Sequence, residues 1–96
     1  MNKTDITINN LDYFDSVFNV KIDDEITLRK DKDNPYDDEA IVALKEEKKI
    51  GYVANSVESV VRGTQSAGRV YDSFNEETKC KIRFIYVEEG SLIAEV

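Results

Sequence analysis

Apolar residues in this 96-residue chain recur mostly at every second position, in short runs between turn residues, and that is the period of half-buried strands. Ile6 and Ile8 alternate with polar neighbours. Residues 13–20 are aromatic and β-branched, as strands prefer. Across residues 25–31, Ile26 and Leu28 fall on one face and Thr27 and Arg29 on the other. Residues 40–44 form a short apolar run that suits a more buried strand. Glu46-Glu47-Lys48-Lys49 reads as a charged hairpin tip. Residues 50–53 are the returning strand, with Gly51 marking a bulge or a close backbone approach. Residues 80–87 alternate again: Cys80, Ile82, Phe84 and Tyr86 share one face, and Lys79, Lys81 and Arg83 the other. Glu89-Gly90 turns the chain into a last strand over residues 92–96.

The rhythm changes at Asn55-Ser56-Val57-Glu58, a capping-box pattern. Val57, Val60 and Val61 share a helical face, and Gly63 suits the residue just past a helix end. A helix of two to three turns is expected, followed by a turn at Gly68 and a strand over residues 69–74. Five or more short strands with one short helix predict a mainly β chain folded as a small β-barrel, OB-like or SH3-like, because closure removes unpaired edges that few helices are available to cover.

Length and composition bound the rest. The chain has room for one core and one domain, spanning residues 1–96. It is 41% hydrophobic and 34% charged, a globular rather than a disordered composition. Neither a membrane-spanning apolar run nor a signal-peptide core is evident, so a cytoplasmic protein is expected. Cys80 is the single cysteine, and histidine is absent. No internal disulfide, cofactor or metal site is therefore expected. The net charge of −7 counts against generic nucleic-acid binding, which is driven by neutralising phosphates.

The densest chemistry lies between Leu28 and Ile41. Pro35 fixes φ in a tight turn, Asn34 caps it, and Asp37 can accept backbone N–H groups. Turn chemistry alone explains three of the four residues Asn34-Pro35-Tyr36-Asp37, while Tyr36 would project from the barrel rim. Asp31-Lys32-Asp33 is not a calcium loop of the EF-hand kind, because Tyr36 and Val42 stand where Gly and Glu are required. A weaker cation site among Asp33, Asp37, Asp38 and Glu39 competes with a plain solvated acidic loop. Catalysis has little support, with no phosphate-binding Gly loop and no Ser–His pair. Lys79, Lys81 and Arg83, joined by Arg69 on a neighbouring strand, form either a solvent face balanced by acidic neighbours or a phosphate rail. In the second case tyrosines would serve as stacking platforms.

The run Leu28-Arg29-Lys30-Asp31, the turn Asn34-Pro35-Tyr36-Asp37 with its following Ala40-Ile41, and Ile50-Gly51-Tyr52-Val53 together resemble the HIRAN domain over about residues 11–87. Gly51-Tyr52-Val53-Ala54-Asn55-Ser56-Val57 and Ser66-Ala67-Gly68-Arg69-Val70-Tyr71-Asp72 look like small stand-alone HIRAN proteins of Gram-positive bacteria. The resemblance implies a modified OB-like barrel of about six strands with one or two short helices. In larger DNA-repair proteins this module captures the 3′ end of single-stranded DNA. The resemblance assigns the end pocket to Asn34, Tyr36 and Asp37. It assigns a stacking tyrosine to Tyr13, with Asp12 where the family has Arg, and places Asn55 where DNA-binding members have a phosphate-contacting Lys. Tyr52, Arg29 and Lys81 complete the candidate nucleic-acid contacts. Three functions are thus in competition: a non-catalytic module for single-stranded DNA ends, an acidic protein-interaction module on the same barrel (binding a basic partner or mimicking nucleic acid), and a metal-assisted enzyme using Asp37-Asp38-Glu39.

Overall fold

The computed structural model describes residues 4–9, 20–55, 63–86 and 90–96. Among them lie strands β1 (Asp5–Asn9), β2 (Glu25–Lys30), β3 (Ile41–Lys45), β4 (Lys48–Val53), β5 (Glu77–Tyr86) and β6 (Ser91–Glu95). They form one closed barrel in the order β1-β4-β3-β2-β5-β6, each neighbouring pair antiparallel. The mainly β fold expected from the alternation is therefore what forms.

The alternating positions supply the interior. Ile6, Ile8, Ile26, Leu28, Ile41, Ile82 and Leu92 are fully buried, each worth about 1.5–3 kcal/mol of transfer free energy. Large and small side chains face one another across the strands. Ala94 lies between Ile6 and Ile82, and Ala43 between Leu28 and Gly51, which lets the curved sheet close without overpacking. Cys80 joins this core. Desolvation first, and the Glu25 charge second, push its thiol pKa up to about 12, so it behaves as a small hydrophobe. β1 would be left unpaired where β4 diverges from it. Gln65 covers that stretch through a parallel bridge to Ile6, and Thr64 Oγ1 meets the buried Thr7 Oγ1 at 2.7 Å.

The β3–β4 turn is tighter than the charged run suggests. Glu46 (φ 52°) and Glu47 (φ 67°) alone form it, in the left-handed conformations that two-residue hairpin turns require. Lys48 and Lys49 already pair within β4. Gly51 does accompany a bulge: Ala43 opposes Gly51 and Leu44 opposes Lys49, leaving Ile50 extra.

Two expectations fail. Residues 69–74 are not a strand: Ala67–Val70 forms helix α1, and Tyr71–Ser73 continues it as a 3₁₀ turn. Val70 and Tyr71 favour strands locally, but burial of Ala67 and Val70 on one helical face, with Tyr71 and Phe74 against the core, outweighs that preference. Lys30 Nζ fastens this segment. It donates to the Phe74 carbonyl at 2.7 Å and sits 4.3 Å from the Tyr71 ring centroid. Arg69 accordingly cannot join a cationic stripe on a neighbouring strand.

Phe84 and Tyr86 are also not on the core face. A register shift between Ile82 and Phe84 inserts Arg83 as an extra residue opposite β6, and one added residue exchanges the faces of everything after it. The strand expected over residues 13–20 lies outside the described residues except for buried Val20. The helix expected after Asn55 lies outside them over residues 56–62, and Gly63 has the positive φ expected of it. No described helix is long and apolar enough to cross a membrane.

Candidate functional site

The loop joining β2 to β3 is built from its own side chains. Asp31 N–H donates to the Ala40 carbonyl at 2.9 Å and closes the loop base. Asn34 Oδ1 accepts from Tyr36 N–H (2.9 Å) and Asp37 N–H (3.0 Å). Pro35, between them, has no N–H to offer. Asp37 Oδ1 accepts from Glu39 N–H at 2.9 Å. These are the side-chain-closed turns that Asn and Asp favour. With both ends of the turn held, Tyr36 has nowhere to pack and is 94% exposed.

Contacts from other strands then tie the loop to the rim. Tyr52 on β4 donates its hydroxyl to Asp31 Oδ2 at 3.0 Å. Asn55, just past β4, uses both ends of its amide. Its Oδ1 accepts from Gly68 N–H at 2.7 Å, and its Nδ2 donates to Asp37 Oδ2 at 3.1 Å. The helix α1 therefore sets the Asn55 amide, and the amide sets the Asp37 carboxylate. Gly68 comes so close that a Cβ there would meet Glu39 Oε1 at 2.8 Å and Asn55 Oδ1 at 3.2 Å.

Asn34, Tyr36, Asp37, Tyr52 and Asn55 thus meet at one rim. Arg29 stands on the outer face, held by Glu47 (3.0 Å) and Glu77 (3.0 Å). These hydrogen bonds, Glu47 first, raise its pKa and engage its Nε and Nη2 groups. Lys81 is four residues along β5 from Glu77, the residue opposite Arg29, or about 13 Å at strand rise. It stands in register between Glu25 and Glu95, so the cationic stripe is interleaved with acid. Tyr13 and Asp12 lie outside the described residues. Tyr52 has Lys49 Nζ 4.9 Å from its ring centroid, which leaves Tyr36 as the open ring at the rim among the described residues.

Sequence reasoning missed three rim residues. Asp31 is joined to Tyr52, Gly68 approaches Asn55, and exposed Arg69 follows Gly68 in the helix. None has a local signal: Asp31 is met by Tyr52 from β4, and Gly68 and Arg69 reach the rim only because α1 folds back onto it. The rim is rich in carboxylate: oxygens of Asp37, Asp38 and Glu39 lie within 4.8 Å of one another. Exposed acidic loops commonly converge in this way, and Asp37 already uses both oxygens in hydrogen bonds. A carboxylate has about four lone-pair sites, so Asp37 keeps acceptor capacity for a ligand donor.

Fold and site together define a closed β-barrel domain with a polar, loop-built site at one rim. The chain belongs to the HIRAN domain family, whose family model matches residues 1–85. HIRAN domains are in general DNA-binding modules, and membership is consistent with nucleic-acid binding. No curated protein and no solved structure matches the chain.

Proposed function

We propose that this protein is a non-catalytic module that binds single-stranded DNA at a free 3′ end through the Asn34–Asp37 rim. The observation that carries the reading is an open aromatic ring beside a positioned carboxylate. Tyr36 is exposed while Asp37 is oriented by Asn55 and by the Glu39 N–H. The terminal base stacks on Tyr36, and the 3′-hydroxyl donates to a remaining lone pair of Asp37. A carboxylate-rich rim accepts a hydroxyl and repels a further phosphate, so it selects an end over continuous strand. Asn34 supports the turn rather than the ligand, because its Oδ1 is taken by two backbone N–H groups. Arg69, which follows Gly68 in α1, has no carboxylate partner among the described residues, and it offsets phosphate charge.

The test is a fluorescence-anisotropy titration at low salt with oligonucleotides ending in a 3′-hydroxyl or a 3′-phosphate. A hydrogen bond to a charged group is worth about 1.5–3 kcal/mol, so the hydroxyl end binds roughly tenfold or more tightly. Tyr36→Ala weakens it by a similar factor, the scale of one base–aromatic stack at about 1–3 kcal/mol. Equal affinity for the two ends refutes end capture.

A second reading follows from the net charge of −7 and the carboxylates of the rim: an acidic surface that docks a basic protein. Absence of binding to either oligonucleotide, with salt-sensitive co-purification of a basic partner, favours it.

A further inference from the structure

Up to Ile82, β5 alternates with Cys80 and Ile82 inward and Lys79 and Lys81 outward. The bulge at Arg83 then rotates the strand. Ile85 takes the inward position against the core, while Phe84 and Tyr86 turn out, 58% and 41% exposed. Bulges re-aim side chains and are enriched beside functional sites. A single exposed aromatic needs no explanation. Here two stand on one strand face, two residues and about 7 Å apart, in line with three exposed cations.

We infer that the outer face of β5 is a stacking platform for single-stranded nucleic acid, on which Phe84 and Tyr86 each take a base while Lys79 and Lys81 lie along the backbone. The inference rests on the nucleic-acid reading and extends it to a surface away from the rim. Charge favours this face over the rest of an acidic chain. Lys79 Nζ bonds the neutral Thr27 hydroxyl at 2.6 Å. Lys81 stands between Glu25 and Glu95, and Arg83 reaches Asp23 at 3.3 Å. Cations here balance the acids around them, against a net −7 for the whole chain. Stacking, which every base can supply, therefore leads the interaction, and its salt dependence is shallow because few phosphates are neutralised.

The aromatic area suits bases better than a second copy of the chain. At roughly 200 Å² per aromatic side chain, the exposed parts of Phe84 and Tyr86 total about 200 Å². A stable protein interface needs about 800 Å² from each partner. A pair of bases matches the smaller figure.

The experiment compares oligothymidylates of about 5 and about 15 nucleotides, near the limits of the site sizes of such barrels. The wild type is expected to bind the longer one more tightly. The double variant Phe84→Ala/Tyr86→Ala is expected to lose roughly tenfold or more on the longer oligomer and nothing on the shorter. Phe84→Trp, with Tyr86 intact, is expected to keep the wild-type affinity, because the indole also stacks. Tyr36→Ala weakens both lengths, separating the rim from the platform. Unchanged urea midpoints show that the variants fold. A double variant that binds the longer oligomer like the wild type overturns the platform and leaves the rim reading standing. Loss of a protein partner, with DNA binding unchanged, overturns it in favour of protein docking. A wild type that binds neither oligomer overturns both readings.

Discussion

Replacing Asn55 with alanine removes two hydrogen bonds whose partners both stay behind. Gly68 N–H loses its acceptor at 2.7 Å, and Asp37 Oδ2 loses its donor at 3.1 Å. A neutral bond contributes about 0.5–1.5 kcal/mol net and one to a charged group about 1.5–3 kcal/mol. Asn55 and Asp37 are half-buried, so water recovers part of each term and the expected loss is about 2 kcal/mol. For a domain of this size that lowers Tm by about 8–16 °C, or the urea midpoint by about 1 M. Asn55→Ala alone does not separate the two bonds, whereas a double-mutant cycle with Asp37→Ala does, because the Gly68 bond is untouched by the second change. The coupling read from urea unfolding of the four proteins is expected to be about 1 kcal/mol. Coupling indistinguishable from zero would refute the idea that the helix positions the Asp37 carboxylate through Asn55. Discrimination between hydroxyl and phosphate ends should weaken in Asn55→Ala alongside the stability, since the same carboxylate is set free.

Cys80 should resist alkylation in the folded protein. With its pKa at about 12, about one thiol in ten thousand is ionised at pH 8, and labelling by iodoacetamide should rise only as urea unfolds the chain. Complete labelling within minutes under native conditions would contradict its place in the core. Asp24 should contribute an acid-sensitive increment of stability. Its carboxylate accepts from Lys45 Nζ at 2.9 Å and Lys21 N–H at 2.8 Å, which lowers its pKa, the Lys45 bond being the larger cause. A depressed folded-state pKa gives stability that is present above the unfolded value, near 3.8, and is lost as pH falls through the folded value. Asp24→Asn should therefore be less stable at pH 7 by up to about 1 kcal/mol and converge on the wild type in strong acid. Parallel stability curves down to pH 2 would count against this account.

Much of the fold was legible because strand alternation is a local pattern. Ile26, Leu28, Cys80 and Ile82 were readable as core from their period, and their burial bears this out. The turn was legible for the same reason, since Asn34 and Asp37 close it with their own side chains. The errors fall where distant contacts intervene. The segment after Gly68 has strand-forming residues, but Lys30, 44 positions before Phe74 in the chain, holds its Phe74 end in place. Phe84 and Tyr86 follow a regular alternation that a single inserted residue reverses. Such an insertion carries no mark in a run of alternating charge and aromatic residues, because it is set by how β5 must bend to meet β6.

The strand period, the apolar set available for a core, the side-chain-closed turn that exposes Tyr36 and the acidic balance can all be read along the chain. All of these are properties of neighbouring residues or of their sum. Which charges face one another and which polar groups share a site follow from the folded barrel. Arg29 is bound by acids from two other elements, Lys81 is placed between Glu25 and Glu95, and Asn55 is turned from an expected helix cap into the link between Gly68 and Asp37. The physical reason is that barrel closure sets the register, and register brings together side chains far apart along the chain.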